Sequence, residues 1–522
     1  MAVEANPSVK LNKIEKVKAE KDGLAVKAEL DRLIQQGWEN IDKNDLELRL
    51  KWLGVFFRPV TPGQFMRRQR LPHGCITSEQ FSALPGLIQQ SGDEGSADIT
   101  TRQNLQLRGI RFEDIPAIFK TLQQIGLTSI QSGMDNVRNL TGSPVAGIDP
   151  EELIDTRGMM QKLQDAITAK GEGNPRFANL PRKLNIAIEG ARDNSIHAEI
   201  NDIALLPAYK DGVLGFNVVV GGYISAQRAA MSMPMGVWIP ADDRVVVDLC
   251  CAMLSVYSDH GLAAGLRENR AKARLMWLVE GWGVEKFRAE VEAELGYALA
   301  DAAAKDEVTQ EKKDHLGVHP QKQAGLNYIG LHIPAGRLDA ELMFELARLA
   351  DVYGNGELRL TVEQNVIIPF VPDDRVAVFL SEPLLETCSI APATLSRSLV
   401  SCTGKAYCNF ALIDTKAQAI AVAAQLDAEL DIPDRVRMHW TGCPNSCGQA
   451  QAGDIGLMGA KVRKDGKMVE GVKLFTGGRV GHQSKLGELT HNGVACEDLP
   501  AVLRQMLIED FGATLKSAKS AS

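Results

Sequence analysis

The hydrophobic pattern of the chain describes the same strand–helix–strand unit twice. Residues 70–104 read RLPHGCITSEQFSALPGLIQQSGDEGSADITTRQN, and residues 332–365 read HIPAGRLDAELMFELARLADVYGNGELRLTVEQN. Both segments place a proline and a glycine near the start, then apolar residues at three- and four-residue spacing, then a glycine turn and a short strand before "QN". The spacing predicts a helix between two strands in each segment.

A second pair of segments repeats in the same order. Residues 201–222 read NDIALLPAYKDGVLGFNVVVGG, and residues 453–478 read GDIGLMGAKVRKDGKMVEGVKLFTGG. Asp211-Gly212 and Asp465-Gly466 predict hairpin turns, because both residue types tolerate the positive φ angles that tight hairpins need. Each segment ends in paired glycines. Two repeats in one order predict a duplicated chain of the form A-B-A′-B′.

Helical and linking segments fill much of the remainder. Residues 10–50 predict a charged helical lead-in, and an apolar docking stripe on it is formed by Leu24, Val26, Leu30, Leu33 and Ile34. Residues 241–300 also have a helical pattern. Residues 301–323 are polar and charged without an apolar period, and therefore predict a linker between the two halves.

Composition and charge limit the class of protein. The chain has 522 residues, of which 45% are apolar and 24% charged, as is typical of a soluble globular protein with several cores. No apolar run is long enough to predict a membrane span, and the charged N-terminus lacks the apolar region of a secretory signal. We therefore expect a cytoplasmic protein. The net charge of −8 argues against nucleic acid as the main partner.

Four of the nine cysteines form two pairs with unusual spacing. Cys402 and Cys408 give C-x5-C, Cys443 and Cys447 give C-x3-C, and 34 residues separate the pairs. Structural zinc sites usually have cysteine pairs separated by only two residues. The corners of a cubane iron–sulfur cluster are spread over several ångströms, so its ligands suit the wider spacing seen here. Two alternatives remain at this point, namely four unrelated buried cysteines and a zinc site. The other five cysteines lack partners at useful spacing.

Basic residues gather in the first half, at places equivalent to the thiols of the second. They fall in strand-like, apolar contexts, where an unpaired charge is costly. Buried cations need anions, so the pattern predicts a ligand rich in carboxylates or phosphates. The residues are Arg67, Arg68, Arg70, Arg102, Arg108, Arg138, Arg182, Lys183, Arg267, Arg270 and Arg274, with Thr100, Thr101 and Gln106 among them.

Together these features resemble the sirohaem-dependent nitrite and sulfite reductases. The motifs that carry the resemblance are TGCPNSCGQAQAGDIGLMG, SGMDNVRNLTGSPVAGIDP, LPRKLN, HLGVHPQKQ and RLTVEQN. The resemblance runs from about residue 45 to about residue 515 and is strongest to the assimilatory, ferredoxin-dependent nitrite-reducing branch of cyanobacteria and chloroplasts. It implies an α+β fold with internal pseudo-two-fold duplication.

The resemblance also implies a division into five segments. Residues 1–50 are the lead-in, and residues 51–130 and 324–390 are ferredoxin-like half-domains. Residues 131–323 form a first sirohaem-binding domain that includes the helical segment and the linker. Residues 391–522 form the domain that binds a [4Fe–4S] cluster and sirohaem.

Roles for individual residues follow from the same resemblance. Cys402, Cys408, Cys443 and Cys447 hold the [4Fe–4S] cluster, and Cys447 also bridges to the sirohaem iron. Sirohaem carries eight carboxylates, and the residues implied to cradle it are Thr100, Thr101, Arg102, Gln106, Arg182, Gly221 and Gly222. Arg68, Arg138 and Lys183 bind the substrate anion on the open face of the iron.

The implied reaction is the six-electron reduction of nitrite to ammonium. Sulfite reductases of this family have a second lysine where this chain has Asn185, and one positive charge fewer suits a monoanion. No dinucleotide or flavin motif is present, so reduced ferredoxin is the expected donor, docking near Arg58, Arg67, Lys461, Arg463, Lys464 and Lys467. We expect a monomer. The alternatives are a ferredoxin-dependent sulfite reductase and a non-catalytic redox sensor that binds the same cofactors.

Overall fold

A computed structural model describes residues 10–89, 95–303, 313–481 and 483–516 of the chain. The strands of these residues are β1 Val55–Phe57, β2 Gln64–Arg68, β3 Cys75–Thr77, β4 Ala97–Ile99, β5 Leu105–Arg111, β6 Thr141–Gly142, β7 Ile186–Ile188, β8 Ile203–Lys210, β9 Val213–Val220, β10 Tyr223–Ile224, β11 Ala229–Ala230, β12 Met233–Pro240, β13 Ala300–Asp301, β14 Gly317–Pro320, β15 Leu326–Leu331, β16 Arg337–Leu338, β17 Glu357–Leu360, β18 Val366–Pro372, β19 Leu399–Ser401, β20 Leu430–Asp431, β21 Met438–Thr441, β22 Ile455–Lys464, β23 Lys467–Thr476, β24 Glu488–Ala495 and β25 Thr514–Leu515. The α-helices are α1 Lys13–Glu20, α2 Leu30–Gln36, α3 Lys43–Glu47, α4 Ser78–Gln89, α5 Ile115–Gln124, α6 Arg157–Thr168, α7 Asp243–His260, α8 Leu275–Trp282, α9 Val284–Leu295, α10 Ala340–Tyr353, α11 Asp373–Phe379, α12 Thr394–Arg397, α13 Thr415–Glu429 and α14 Leu499–Phe511. None of the described helices is long and apolar enough to cross a membrane.

Two five-stranded sheets form the half-domains, and each borrows one edge strand from the other half. The first sheet has the order β1-β2-β5-β4-β16, and the second has the order β14-β15-β18-β17-β3. Strand β3 belongs to the first half of the chain but pairs with β17, and β16 belongs to the second half but pairs with β4. Side chains from both halves pack into one shared apolar core.

Two mixed sheets form the larger domains and repeat one topology. In the first, β6, β7 and β8 are parallel and β9 and β12 follow antiparallel. In the second, β19, β21 and β22 are parallel and β23 and β24 follow antiparallel. Helices α7, α8 and α9 pack on the first sheet, and α13 and α14 pack on the second. The predicted α+β duplicated fold is confirmed.

The predicted hairpins lie at the two Asp-Gly pairs. Asp211 and Gly212 have φ angles of 51° and 76°, and Asp465 and Gly466 have 48° and 77°. Positive φ at both turn residues matches the twist of the flanking strands, β8 with β9 and β22 with β23. The duplication therefore extends to the geometry of individual turns.

The lead-in is helical and docks through the predicted stripe. Val26, Leu30 and Leu33 are buried in the core shared by the half-domains, and Leu24 and Ile34 pack against it. The predicted linker is only partly described, since residues 304–312 lie outside the described ranges. The last part of this segment is not a linker, because β14 (Gly317–Pro320) pairs with β15. The second half-domain sheet therefore begins before residue 324.

Candidate active site

All four predicted cluster cysteines line one cavity of about 180 Å³. The cavity lies between the turn after β4 in the first half-domain and the loops after β19 and β21. Five of the other predicted site residues line it, namely Arg68, Thr100, Thr101, Arg102 and Gln106. It also contains residues that the sequence analysis did not assign to the site, including Asp98, Gln364, Tyr407 and Lys416.

Neighbouring parallel strands bring the two cysteine pairs together. Cys402 directly follows β19, and Cys443 follows β21 by two residues. Because β19 and β21 are parallel neighbours, both loops leave the same edge of the sheet. The Gly442 N–H donates to Cys402 Sγ at 3.1 Å. Gly448 is required for packing, since a Cβ there would lie 2.1 Å from the Trp440 carbonyl oxygen.

The four thiols are free, and no disulfide involves them. Burial raises the pKa of Cys402, and it raises the pKa of Cys443 to about 11. Within the described ranges, no three His, Cys, Asp or Glu side chains converge closely enough to hold a single metal ion. The thiols instead surround a shared space, as ligands at the corners of a larger cluster do.

Four of the five cations assigned to sirohaem or substrate have no carboxylate partner among the described residues: Arg68, Arg102, Arg138 and Lys183. Arg68 and Arg138 each donate only to the Ser132 carbonyl oxygen, at 3.2 and 3.3 Å. Burial, followed by the charges of Arg102 and Arg58, lowers the pKa of Arg68 to about 9. Burial, followed by the charges of Arg274 and Arg102, lowers the pKa of Lys183 well below its ordinary value. This group of charges is therefore poised to accept an anion.

Backbone pairing aligns Arg138 with Lys183 and Asn185. Val137 and Leu184 form a parallel bridge, and the Arg138 N–H donates to the Leu184 carbonyl at 2.8 Å. The Asn185 N–H donates to Asp202 Oδ2 at 2.7 Å. The side-chain oxygen of Asn185 is buried and has no hydrogen-bond partner. A buried polar atom without a partner, two residues along the chain from Lys183, fits a site built for a further polar group.

Four of the other arginines in the predicted basic group have a carboxylate partner within the chain, so these four do not need a ligand to balance their charge. Arg108 pairs with Asp98 at 2.7 Å and Arg267 with Glu15 at 2.7 Å. Arg270 pairs with Asp135 at 2.8 Å and Arg274 with Asp202 at 2.5 Å. Arg70 donates to the carbonyl oxygens of Gln131, Val137 and Arg138. Arg182 lies 3.7 Å from Asp135 and is partly neutralised.

The second repeat shows what a neutral version of the site looks like. The turn at Thr100–Asn104 recurs at Thr361–Asn365 with the same backbone hydrogen bonds, so Glu363 stands where the first repeat has Arg102. The hydrogen bond from the Asn185 N–H to Asp202 recurs in the second repeat as the hydrogen bond from the Arg437 N–H to Asp454. Arg435 therefore occupies the position in the second repeat that Lys183 occupies in the first. Glu363 and Arg435 form an ion pair at 2.5 Å. The first repeat has two cations at the same positions.

The other residues predicted to bind sirohaem make contacts within the chain itself. The Thr101 hydroxyl donates to the Cys447 carbonyl oxygen at 3.1 Å, which ties the first half to the cysteine loop. Gly221 has a φ of +94°, and a Cβ on Gly222 would lie 2.3 Å from the Glu199 carbonyl oxygen. These contacts explain both glycines by packing, and a cofactor contact there stays a prediction. Gln106 accepts a hydrogen bond from Arg108 at 3.0 Å.

A buried carboxylate that the sequence analysis missed organises the wall of the cavity. Asp98 accepts hydrogen bonds from Arg108, Arg337 and Thr403, and Lys416 lies 3.5 Å away. The ring of Tyr407 lies against Arg108 and Arg337, with 4.8 and 5.1 Å between each guanidinium carbon and the ring centroid. Thr403 and Tyr407 belong to the loop between Cys402 and Cys408. The network therefore fixes that loop from the opposite half of the chain.

We expect Asp98→Asn to destabilise the protein by about 3–5 kcal/mol, because buried Arg108 and Lys416 and half-buried Arg337 lose their carboxylate. The measurement is the denaturant midpoint of the cofactor-loaded protein, followed by absorbance of the bound cofactors. Asp114→Asn is the control, since it removes a carboxylate whose arginine partner is exposed. Equal midpoints for the two variants would contradict the role given to Asp98.

Comparison with known proteins agrees with this geometry. Residues 133–299 and 393–508 match the family described as "Nitrite and sulphite reductase 4Fe-4S domain", and residues 59–125 and 319–385 match "Nitrite/Sulfite reductase ferredoxin-like half domain". The ferredoxin–nitrite reductase of Synechococcus elongatus is 60% identical over 517 residues, covering 99% of this chain and 100% of that protein. The chloroplastic ferredoxin–nitrite reductase of Spinacia oleracea is 47% identical over 524 residues, covering 98% and 87%. The structure of the Mycobacterium tuberculosis NirA protein superposes with a TM-score of 0.86 at 28% identity, covering 96% and 94%. The chain belongs to the nitrite and sulfite reductase family.

Proposed function

We propose that the chain reduces nitrite to ammonium with electrons from reduced ferredoxin. The observation that carries this function is one cavity that four thiols line together with Arg68 and Arg102, two cations without carboxylate partners among the described residues. Its relatives from Synechococcus elongatus and Spinacia oleracea are named ferredoxin–nitrite reductases and match over nearly the whole chain. The reaction consumes six electrons and eight protons per nitrite, and yields ammonium and two waters.

The residues present fit the cofactors of this family. We assign Cys402, Cys408, Cys443 and Cys447 to a [4Fe–4S] cluster, since thiolates are its usual ligands. Arg102 and Arg182 would neutralise carboxylates of sirohaem, because guanidinium groups grip carboxylates well. Burial raises the pKa of the Cys402 and Cys443 thiols, and binding of the cluster would displace their protons. When bound, sirohaem and the cluster supply an iron with an open position and one-electron transfer.

The chain itself binds the substrate and supplies protons. We assign nitrite to Arg68, Arg138 and Lys183, whose mutual repulsion is relieved when an anion arrives. A bound anion favours the protonated form of Lys183, because its charge opposes the burial and the neighbouring cations that lower the pKa of the lysine. A protonated Lys183 then donates to an oxygen of nitrite as an N–O bond breaks, and Arg68 and Arg138 hold the charge that develops.

Asn185 is the proposed determinant of substrate choice. The buried side-chain oxygen of Asn185 has no hydrogen-bond partner, and Asn185 lies two residues after Lys183, where a second lysine would add positive charge suited to sulfite. We expect Asn185→Lys to shift the ratio of sulfite to nitrite turnover toward sulfite by about tenfold, the effect of roughly 1.4 kcal/mol. Steady-state rates with each anion measure the ratio, and an unchanged ratio would remove Asn185 from this role.

Ferredoxin docking is proposed on the rim near the cysteine loops, through fewer of the predicted basic residues. Arg67 is 1% exposed and cannot contact a docked protein. Lys464 is paired with Glu497 and Asp498, and Lys461 lies 3.9 Å from Glu470. Arg58, Arg463 and Lys467 are the rim candidates without a carboxylate partner among the described residues. We also propose that the protein is a cytoplasmic monomer. Light scattering of the purified protein gives its molar mass and so tests the monomeric state.

Stoichiometric turnover tests the function. The purified protein with reduced ferredoxin should convert each nitrite to one ammonium with oxidation of six ferredoxins. Iron and acid-labile sulfide analysis accompanies the assay. Faster reduction of sulfite would favour the sulfite reductase, and bound cofactors without ammonium would favour a redox sensor.

A further inference from the structure

Arg67 is a fully buried cation that the proposed reaction does not use. Its side chain is 1% exposed, and Nη2 donates to Ser129 Oγ at 2.8 Å. Nε and Nη1 have no hydrogen-bond partner, and no carboxylate lies within ion-pair distance among the described residues. The Phe119 ring covers one face of the guanidinium, with 4.0 Å between its centroid and Cζ. A ring face does not satisfy the N–H groups at the edges of the guanidinium plane.

Arg67 lines a cavity of about 540 Å³ that is separate from the cysteine cavity. The cavity lies where the lead-in, helix α5 of the first half-domain and helix α6 meet. This volume falls within the range of sites that hold small organic molecules. Gln123, Gln161 and Gln164 contribute amides to its lining, and Phe119 contributes an apolar surface.

The charges around this cavity leave Arg67 uncompensated. Lys27 and Glu172 neutralise each other at 2.8 Å. Asp165 accepts a hydrogen bond from the Gln161 amide at 2.9 Å. Lys120 and Lys170 are exposed at the rim, and no carboxylate pairs with either among the described residues. Asp31 also lines the cavity, and neither Asp31 nor Asp165 has a cationic partner among the described residues. The lining therefore offers one buried guanidinium at its wall and two ammonium groups at its rim, against these two carboxylates.

We propose that this cavity, the Arg67 cavity, binds a small organic anion through a carboxylate or phosphate group held by Arg67. A planar guanidinium with free N–H groups matches both oxyanions, and the rim lysines attract either. Burial lowers the pKa of Arg67 to about 9, and a bound anion would reverse that shift. The proposal does not depend on the reaction assigned to the cysteine cavity.

The site has a direct structural connection to the proposed substrate residues. Arg67 and Arg68 are adjacent on β2 but line different cavities. Arg67 donates to Ser129, whereas Arg68 and Arg138 donate to the carbonyl of Ser132 in the same short segment. An anion that moves Arg67 therefore acts on the segment that positions Arg68 and Arg138.

Calorimetric titration of the cofactor-loaded protein tests the proposal. Inorganic phosphate and succinate are the two probes, each added in the presence of saturating nitrite so that the cysteine cavity is filled. We expect one saturable site for at least one probe. Binding of phosphate alone assigns a phosphorylated ligand, and binding of succinate alone assigns a carboxylic acid. Binding of neither probe overturns the proposal.

Two variants locate the binding. Arg67→Met keeps an apolar contact with Phe119 and should weaken probe binding by about tenfold or more. Lys120→Glu, at the exposed rim, leaves the core unchanged and should weaken binding severalfold. The matched control is Arg111→Met, an exposed arginine outside the cavity, which should bind as the unaltered protein does. Unchanged binding by both Arg67→Met and Lys120→Glu would also overturn the proposal, including in the case where Arg67→Met folds poorly.

Discussion

Cys447→Ser should abolish magnetic coupling between the cluster and the haem, and should lower nitrite turnover by about a thousandfold. Cys447 is the most exposed of the four cysteines, and it faces the cavity that contains Arg102. The same cavity is lined by Arg68, so Cys447 shares it with cations proposed to hold sirohaem and nitrite. A serine hydroxyl is a poor ligand for iron in a cluster, because it is harder and less acidic than a thiol.

The measurements are the magnetic spectrum of the oxidised protein, its iron and sulfide content, and turnover with reduced ferredoxin. Cys496→Ser is a matched control, since Cys496 is a half-buried thiol that does not line the cavity. Coupling that survives in Cys447→Ser would show that another residue connects the two cofactors.

Lys183→Met should lower kcat/KM for nitrite by about 100- to 1,000-fold, because it removes both a binding charge and a proton donor. The lowered pKa of Lys183 adds a pH dependence. The protonated form binds nitrite, so in the unaltered protein the affinity for nitrite falls as the pH rises through the lowered pKa. The variant should lose this dependence as well as the rate.

Profiles of kcat/KM against pH test this role. Lys162→Met is the control, since Lys162 is an exposed lysine paired with Asp243. A pH profile in Lys183→Met that matches the unaltered protein would assign the proton donation to another group. A changed rate with an unchanged profile would leave Lys183 with a purely electrostatic role.

The features that could be predicted from the sequence are those encoded locally. The Asp-Gly turns follow from the φ angles of two residues, and the cysteine loops follow from a short motif. The partners of the arginines could not be predicted in this way. Arg267 pairs with Glu15, which lies 252 residues away, so nothing near Arg267 shows whether its charge is satisfied.

Asp98 shows a second limit of sequence reasoning. Its neighbours along the chain predict an ordinary buried strand, and its function depends on Arg337 and Thr403 from the other half. The exchanged strands β3 and β16 are three and two residues long, too short for a periodic pattern to show where they pair. Long-range pairing of short elements is therefore visible only in the folded chain.

The exchange of β3 and β16 gives the two repeats the arrangement of a domain-swapped homodimer joined by a covalent connection. In a true homodimer every substitution occurs twice, so an arginine placed at one turn would also appear at its symmetry mate. Covalent fusion removes that constraint. One copy can keep a closed, neutral ion pair for mechanical support while its twin holds unpaired charge, and neither copy loses the strand that completes its sheet.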